Sequence, residues 1–430
     1  MKNFKFNLFY FFYFLSFELL CIIAKFISFF SKRIREELKK RSLTSFQLAT
    51  IKKHKASKDT ILFFCSSAGE YEQARPLIDY YSKKGKHIFI VAFSPSGISF
   101  MEKRNESHDF ILCPLDRYCT WRSIFKILKP SMCFIVRHEL WPSFIKLASS
   151  YSRLILINAS MNRKYNFVSL SMKKLLLSMM DSIFVVEESD LDFYKTIVKD
   201  SLLAGDTKYD RVRLRSIEKK EEIAHLKEQL NSYVFSSPTS SLGYKYFIIG
   251  SGWHKDIECV FDAYLKIRIT DSSWKIICAS HDISPVMIDW IKSECTKRNL
   301  SYSCFSDPSF LAKGINFDVC IVDVIGRLSE LYGVSHLCWV GGAMHYKIHN
   351  VLEPAIYGLN IAHGPLYHDQ KEACLLVNKG ASTVCKDSDE LFNWWLDHSP
   401  PQINEQTKNL MLSLSFTSKT ILNHIEHLGV

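Results

Sequence analysis

Hydrophobic positions along the 430-residue chain fall into three regimes. Leu8 to Phe30 is one apolar run broken only by Ser16, Glu18, Lys25 and Ser28, long enough to cross a bilayer as a helix. From residue 59 onward, short apolar runs alternate with helical periodicity, a rhythm that predicts βαβ units and a parallel sheet. A first series of strands is expected at Thr60–Cys65, His87–Phe93, Ser131–Val136, Leu154–Ile157 and Ser182–Val186. Most show no alternation, as strands buried on both faces should not. The rhythm breaks over 216–244, where a charged stretch leads into Ser236-Ser-Pro-Thr-Ser-Ser-Leu-Gly243. A second series follows at Tyr246–Ile249, Lys275–Cys278, Val319–Val322, Leu337–Val340 and Asn360–Ala362.

This pattern predicts an α/β protein. A membrane-anchor helix with a basic juxtamembrane segment occupies 1–58, a first Rossmann-like domain 59–215, a linker 216–244, a second Rossmann-like domain 245–390, and C-terminal helices 391–430. Two doubly wound domains of similar size are expected to face each other across a cleft at the carboxyl ends of their sheets, where ligands bind. Nucleotide-sugar glycosyltransferases and some epimerases use this architecture.

Charge refines the reading. Of the net +11, residues 1–58 hold 13 Lys and Arg against 3 Glu, which leaves 42 basic and 41 acidic side chains for the other 372 residues. A basic excess confined to one terminus argues against nucleic acid as a partner. The fifteen Leu, Ile and Phe residues of the apolar run favour insertion by about 7 kcal/mol, against about 3 kcal/mol for each central charge. Glu18 and Lys25 share a helix face, and Lys25 lies near enough to the end to snorkel. A spanning helix is the first expectation and an interfacial helix the second. The Phe-rich run offers no small-residue cleavage site of a signal peptide. Two lysines precede it and six basic residues follow between Lys32 and Arg41, which places the body in the cytoplasm with its basic patch against anionic lipids. The 13 cysteines form no C-x-x-C pair and read as small buried hydrophobes in a reducing compartment.

Three motifs carry candidate chemistry. In Cys65-Ser-Ser-Ala-Gly-Glu70, at a strand-to-helix junction, Glu70 either complements the helix dipole or takes a proton from a hydroxyl. In Arg137-His-Glu139-Leu-Trp-Pro142, Glu139 also follows a strand, and two carboxylates on neighbouring strand ends raise one another's pKa. In Leu337-Cys-Trp-Val-Gly341-Gly342 through Asn350-Val-Leu-Glu353-Pro354, the glycines are expected to bring backbone amides to a phosphate, a helix starting near His349 to add its free N–H groups, and Glu353 to accept ribose hydroxyls. His345, His349 and Glu353 have the spacing of metal ligands on one helix face, but the glycine loop and the lack of an outside ligand argue against a metal.

These motifs, with Ser94-Pro-Ser-Gly97, Pro114-Leu-Asp116, Asn158-Ala159 and Gly205-Asp-Thr-Lys208-Tyr-Asp210, occur in the order and approximate spacing of the bacterial Kdo transferases, which the chain resembles over residues 30 to 390. Kdo is 3-deoxy-D-manno-oct-2-ulosonic acid. The resemblance implies a GT-B enzyme at the cytoplasmic face of the inner membrane that moves Kdo from CMP-Kdo onto a lipid A precursor, without metal or cofactor. By that resemblance Glu70 matches the catalytic base and Glu139 the second acceptor-domain glutamate. Lys208, His281, Gly326, Gly341, Gly342, Asn350 and Glu353 match the donor side. Four departures stand out: Asp206 where Asn is usual, Ser160 and Ser280 where arginines are usual, and Arg327 where an acidic residue follows Gly326. The loop Tyr346-Lys-Ile-His349 keeps only the histidine of a Gly-Gly-His segment. A transferase with an altered donor or acceptor is the rival reading, and a degenerate membrane-associated nucleotide-binding or scaffold protein the third.

Overall fold

The computed structural model describes residues 2–42, 51, 59–103, 108–161, 167–232, 244–307 and 317–427. The chain forms two compact units, Met1–Arg211 with Phe416–Val430, and Val212–Ser415.

The sheet of the first unit contains β1 (Thr60–Cys65), β2 (His87–Ala92), β3 (Asp109–Leu112), β4 (Met132–Val136), β5 (Arg153–Ala159), β6 (Ser182–Val185) and β7 (Ser201–Leu203), in the order β3-β2-β1-β4-β5-β6-β7. That of the second contains β8 (Lys245–Gly252), β9 (Trp274–Ser280), β10 (Tyr302–Cys304), β11 (Val319–Ile321), β12 (Leu337–Val340), β13 (Asn360–His363) and β14 (Ser382–Val384), in the order β10-β11-β9-β8-β12-β13-β14. Every pairing is parallel. Strand order reverses between β1 and β4 and between β8 and β12, and the loops leaving those strands open the crevices where doubly wound sheets bind ligands.

Ten of these strands coincide with the expected apolar runs. The four others, β3, β7, β10 and β14, are the four sheet edges. Each is three or four residues long and only partly buried, so none carries the continuous apolar run of a strand covered on both faces.

Element boundaries differ from expectation at two places. The segment 216–244 contains a helix, Lys220–Ser232, whose Ile223, Leu226 and Leu230 are buried in the second unit, while 233–243, with the Ser-Pro-rich stretch, lies outside the described residues. The last helix, Thr417–His427, leaves its predecessors in the second unit and packs Ile421, Leu422 and Ile425 into the core of the first. There Ser418 donates its backbone N–H to Asp210 (3.2 Å), and His424 Nε2 lies 2.8 Å from Asp200. The basic segment after Ser42 lies outside the described residues except for Ile51.

The apolar run forms the helix Lys2–Ile27, and it is not free of the first unit. Phe6 and Tyr10 are buried in the core that covers one face of the sheet. Tyr13 donates its hydroxyl to Asp116 (2.9 Å), and Asp116 also accepts the backbone N–H groups of Ser143 (2.8 Å) and Phe144 (3.1 Å). These are the orphan amides of the helix Pro142–Tyr151, whose N-cap Trp141 has no side-chain acceptor. Asp116 of Pro-Leu-Asp116 therefore performs the capping task from a distant loop and fixes where the Glu139 segment joins its helix. Burial lifts the Asp116 carboxyl to about 6 despite these donors. Asp116→Ala should lower the unfolding free energy by about 1–3 kcal/mol, the cost of orphaning buried donors, and Tyr13→Phe by less; urea unfolding of the detergent-solubilised full chain measures both.

Candidate functional site

Four separate sequence motifs meet at the carboxyl edge of the first sheet. The turn after β1 carries Glu70, the turn after β4 carries Arg137 and Glu139, β5 ends in Asn158, and β7 leads into Gly205 to Lys208. Ser67 caps the helix Ala68–Lys83 by accepting the Glu70 N–H (3.3 Å), and the Glu70 carboxylate folds back to accept the Ser66 N–H at 2.6 Å. Burial raises the Glu70 pKa, the bonds from Ser66 pull it down, the Glu139 charge raises it further and Arg137 lowers it. Glu139 is held in turn by the Trp141 indole N–H (2.9 Å), and that indole stacks on Phe93.

Arg137 adopts φ 65°, a left-handed backbone unusual for a non-glycine residue, which aims its guanidinium at the buried Asp206 (3.0 Å). Lys208 Nζ lies 3.3 Å from the same Asp206 oxygen. Asn158, also left-handed, donates to Thr207 Oγ1 (2.7 Å) and Gln73 (3.3 Å) and accepts the Thr207 N–H. Strained backbone at two adjacent strand ends, held by buried hydrogen bonds, is the pattern of a functional site. Lys208, expected on the donor side, is thereby tied into the cluster of the first unit. Gln73 and the pairing role of Arg137 had escaped the sequence reading; Gln73, three residues beyond Glu70, sits on the same helix one turn later.

The second unit assembles a different site. Trp253, His281 and His349 come from the turns after β8, β9 and β12. His281 stacks on His349 with centroids 4.3 Å apart, Trp253 lies 4.8 Å from His281, and the Trp253 indole N–H donates to His349 Nε2 (3.2 Å). Because an indole only donates, Nε2 must be unprotonated, and the His349 proton sits on Nδ1. Burial first, then His281 and Lys347, push His349 down to about 4. Glu353 accepts from Arg215 (3.0 Å), so one carboxylate oxygen is already engaged by a residue the sequence did not flag. Asn350 is exposed and its Oδ1 accepts the Leu352 N–H. Gly326 occupies an exposed turn at φ 89°, and its neighbour Arg327 lies over the Phe305 ring.

Two expectations about the glycine loop are overturned. The Gly341 N–H is bonded to the Gly250 carbonyl (2.9 Å) and the Gly342 N–H to Asp256 Oδ2 (2.8 Å), so neither amide is available to a phosphate. Gly341 is glycine because the loop lies on β8: a Cβ there would sit 2.4 Å from the Ser251 carbonyl oxygen. The helix after the loop is only Leu352–Ile356 and does not start near His349. His345 and His349 therefore lie in loop, away from any helix face shared with Glu353, and no three-residue metal-binding group occurs among the described residues. The organiser here is Asp256, fully buried, which also accepts from the Trp253 N–H (3.0 Å) and the Trp339 indole (3.1 Å). Its place three residues after Trp253 is the N3 position of a helix start, a legible capping signal.

The depressed pKa of His349 means that its neutral form supports the fold. That contribution is complete above the ordinary histidine value near 6.5 and is lost as pH falls toward about 4. His349→Phe should therefore flatten the stability profile of the full chain between those limits, measured as the denaturation midpoint against pH.

Comparison with known proteins finds relatives in sequence and in fold. Residues 36–211, which carry the first cluster, match the family model described as 3-deoxy-D-manno-octulosonic-acid transferase. The 3-deoxy-D-manno-octulosonic acid transferase of Aquifex aeolicus is 26% identical over 78% of this chain and 85% of its own. That of Rickettsia bellii is 25% identical over 93% of this chain and 92% of its own. The structure of UDP-GlcNAc 2-epimerase from Neisseria meningitidis superposes with a TM-score of 0.55 at 14% identity, over 86% of this chain and 100% of that one, a likeness of fold alone. The two doubly wound sheets are the expected GT-B fold. With its motifs in order, a family model matched over residues 36–211 and a relative aligned over 93% of its length, the chain is similar to the 3-deoxy-D-manno-octulosonic acid transferases.

Proposed function

We propose that this protein transfers Kdo from CMP-Kdo to a lipid A precursor, lipid IVA, by direct displacement with inversion, and that Glu70 is the general base. The observation that carries the reading is the Glu70 carboxylate at the end of β1, lifted in pKa by burial and fixed by Ser66. The likeness to the Kdo transferases suggests the chemistry. CMP is a good leaving group, so the protein has to orient the acceptor hydroxyl and stabilise developing charge. The acceptor oxygen bonds to the anomeric carbon, the bond from that carbon to the CMP phosphate oxygen breaks, and the hydroxyl proton passes to Glu70. The step balances without a cofactor or metal.

Glu139 raises the basicity of Glu70 through its charge and is itself immobilised by Trp141. In the second unit we assign nucleotide contacts to Asn350, Glu353 and the stacked His281 and His349. His349 is neutral near pH 7 and cannot balance a phosphate. We assign that charge to Lys347 and Arg327, which stand on loops at the carboxyl edge of the second sheet. Ser280 favours one alternative, an altered donor: its hydroxyl is spent on the Asp282 carbonyl (2.7 Å) at a position where the family has an arginine.

Glu70→Gln should lower kcat by about 10²- to 10⁴-fold, the usual worth of a positioned base, with little change in KM for CMP-Kdo. Near wild-type turnover would remove Glu70 from the mechanism. Since the base must be ionised, its raised pKa moves the acidic limb of the rate profile upward, and Glu139→Gln should return that limb to lower pH. Calorimetry should find CMP bound more tightly than UDP; equal affinity would favour the altered donor.

A further inference from the structure

We infer that the N-terminal helix lies in the plane of one anionic leaflet, with one face docked on the first unit and the other in the acyl layer, and does not span the bilayer.

The helix presents two different faces. Phe6, Tyr10, Tyr13, Phe17 and Glu18 form a buried or half-buried stripe along it, and the helix packs against the helices Pro142–Tyr151 and Phe167–Leu177. The stripe is pinned by polar contacts spread along its length. Asn7 accepts from Lys146 (2.6 Å), Tyr10 donates to Ser143 (3.2 Å), Tyr13 donates to Asp116 (2.9 Å), and Glu18 takes a forked pair of bonds from Arg117 (2.7 to 3.1 Å). The opposite face is a row of exposed large apolar side chains that includes Phe4, Phe11, Leu15, Ile22 and Phe26, each at least 59% accessible. An apolar face of that length, left to water beside a docked one, needs an apolar medium.

Length decides between the two membrane arrangements. Beyond Glu18, only the nine residues 19–27 remain before the helix ends and the chain turns over 28–30, about 14 Å of helix at 1.5 Å per residue. The hydrocarbon layer is about 30 Å thick. A spanning helix would have to tear Asn7, Tyr10, Tyr13 and Glu18 from their partners and place Glu18 in lipid, whereas an in-plane helix keeps all four. The polypeptide then turns, with Arg35 donating to the carbonyls of Ser28 (2.9 Å) and Phe29 (2.8 Å), into a helix Lys32–Lys40 whose Lys32, Arg33 and Lys39 are exposed. Those exposed cations follow directly on the apolar helix and match anionic headgroups, which commits the occupant to a lipid leaflet.

The test is the side of the membrane on which the N-terminus lies. The full chain carrying an N-terminal epitope tag is expressed, sealed membrane vesicles are prepared, and protease is added from one side. In-plane anchoring predicts that tag and body are digested or protected together. A tag protected while the body is digested, released only by detergent, overturns the inference. Independently, the outward variants Phe11→Glu and Leu15→Glu should lower the bound fraction at least tenfold on vesicles containing phosphatidylglycerol. Unchanged binding of those variants, or equal binding of the unaltered chain to pure phosphatidylcholine vesicles, also overturns it.

Discussion

A parallel sheet gathers at one edge every turn that can carry chemistry, and each turn arrives with backbone N–H groups that neither strand nor helix can pair. Buried aspartates answer that constraint throughout this protein. Asp116 accepts the first amides of the helix after Glu139, Asp190 accepts the Met161 N–H (2.7 Å) where β5 exits, and Asp256 joins the turn after β8 to the glycine loop after β12. Each ties together pieces of chain that are distant in sequence, so the geometry of the candidate groups depends on carboxylates that are not themselves candidates.

The same arrangement explains why glycine stands at 341 and 342. The Gly341 amide is consumed on β8 and the Gly342 amide on Asp256, and a side chain would collide with backbone at both positions, with the Ser251 carbonyl at 341 and with the Lys347 carbonyl of its own loop at 342. The glycines serve the approach of two loops, and the aromatic and imidazole side chains of Trp253, His281 and His349 are what that approach brings to the surface of the second unit.

The ten inner strands were legible because burial on both faces imposes an unbroken apolar run, and the edge strands were not because exposure removes it. Glu70 and Glu139 were legible as acidic residues directly after such runs. Asp256 shows in the sequence only as a helix-start acid three residues after Trp253, and its bond to Trp339, 83 residues away, leaves no local trace; neither does the pairing of Arg215 with Glu353, 138 residues away. The N-terminal helix was visible as an apolar stretch, but its docking on the first unit was not. Glu18 reads as an interruption of the apolar run and Tyr13 as part of it, and only the fold shows Arg117 and Asp116 as their partners.

Asp206, standing where the family has asparagine, has a consequence for how ligands arrive. It sets Arg137 and Lys208 against three carboxylates, Glu70, Glu139 and Asp206 itself, so the cluster carries no formal positive excess. An anionic sugar or phosphate nearing this face of the first unit meets no long-range attraction. Among these five side chains an anion finds cationic donors only at contact range, and the field of the cluster is screened beyond about 8 Å at physiological ionic strength.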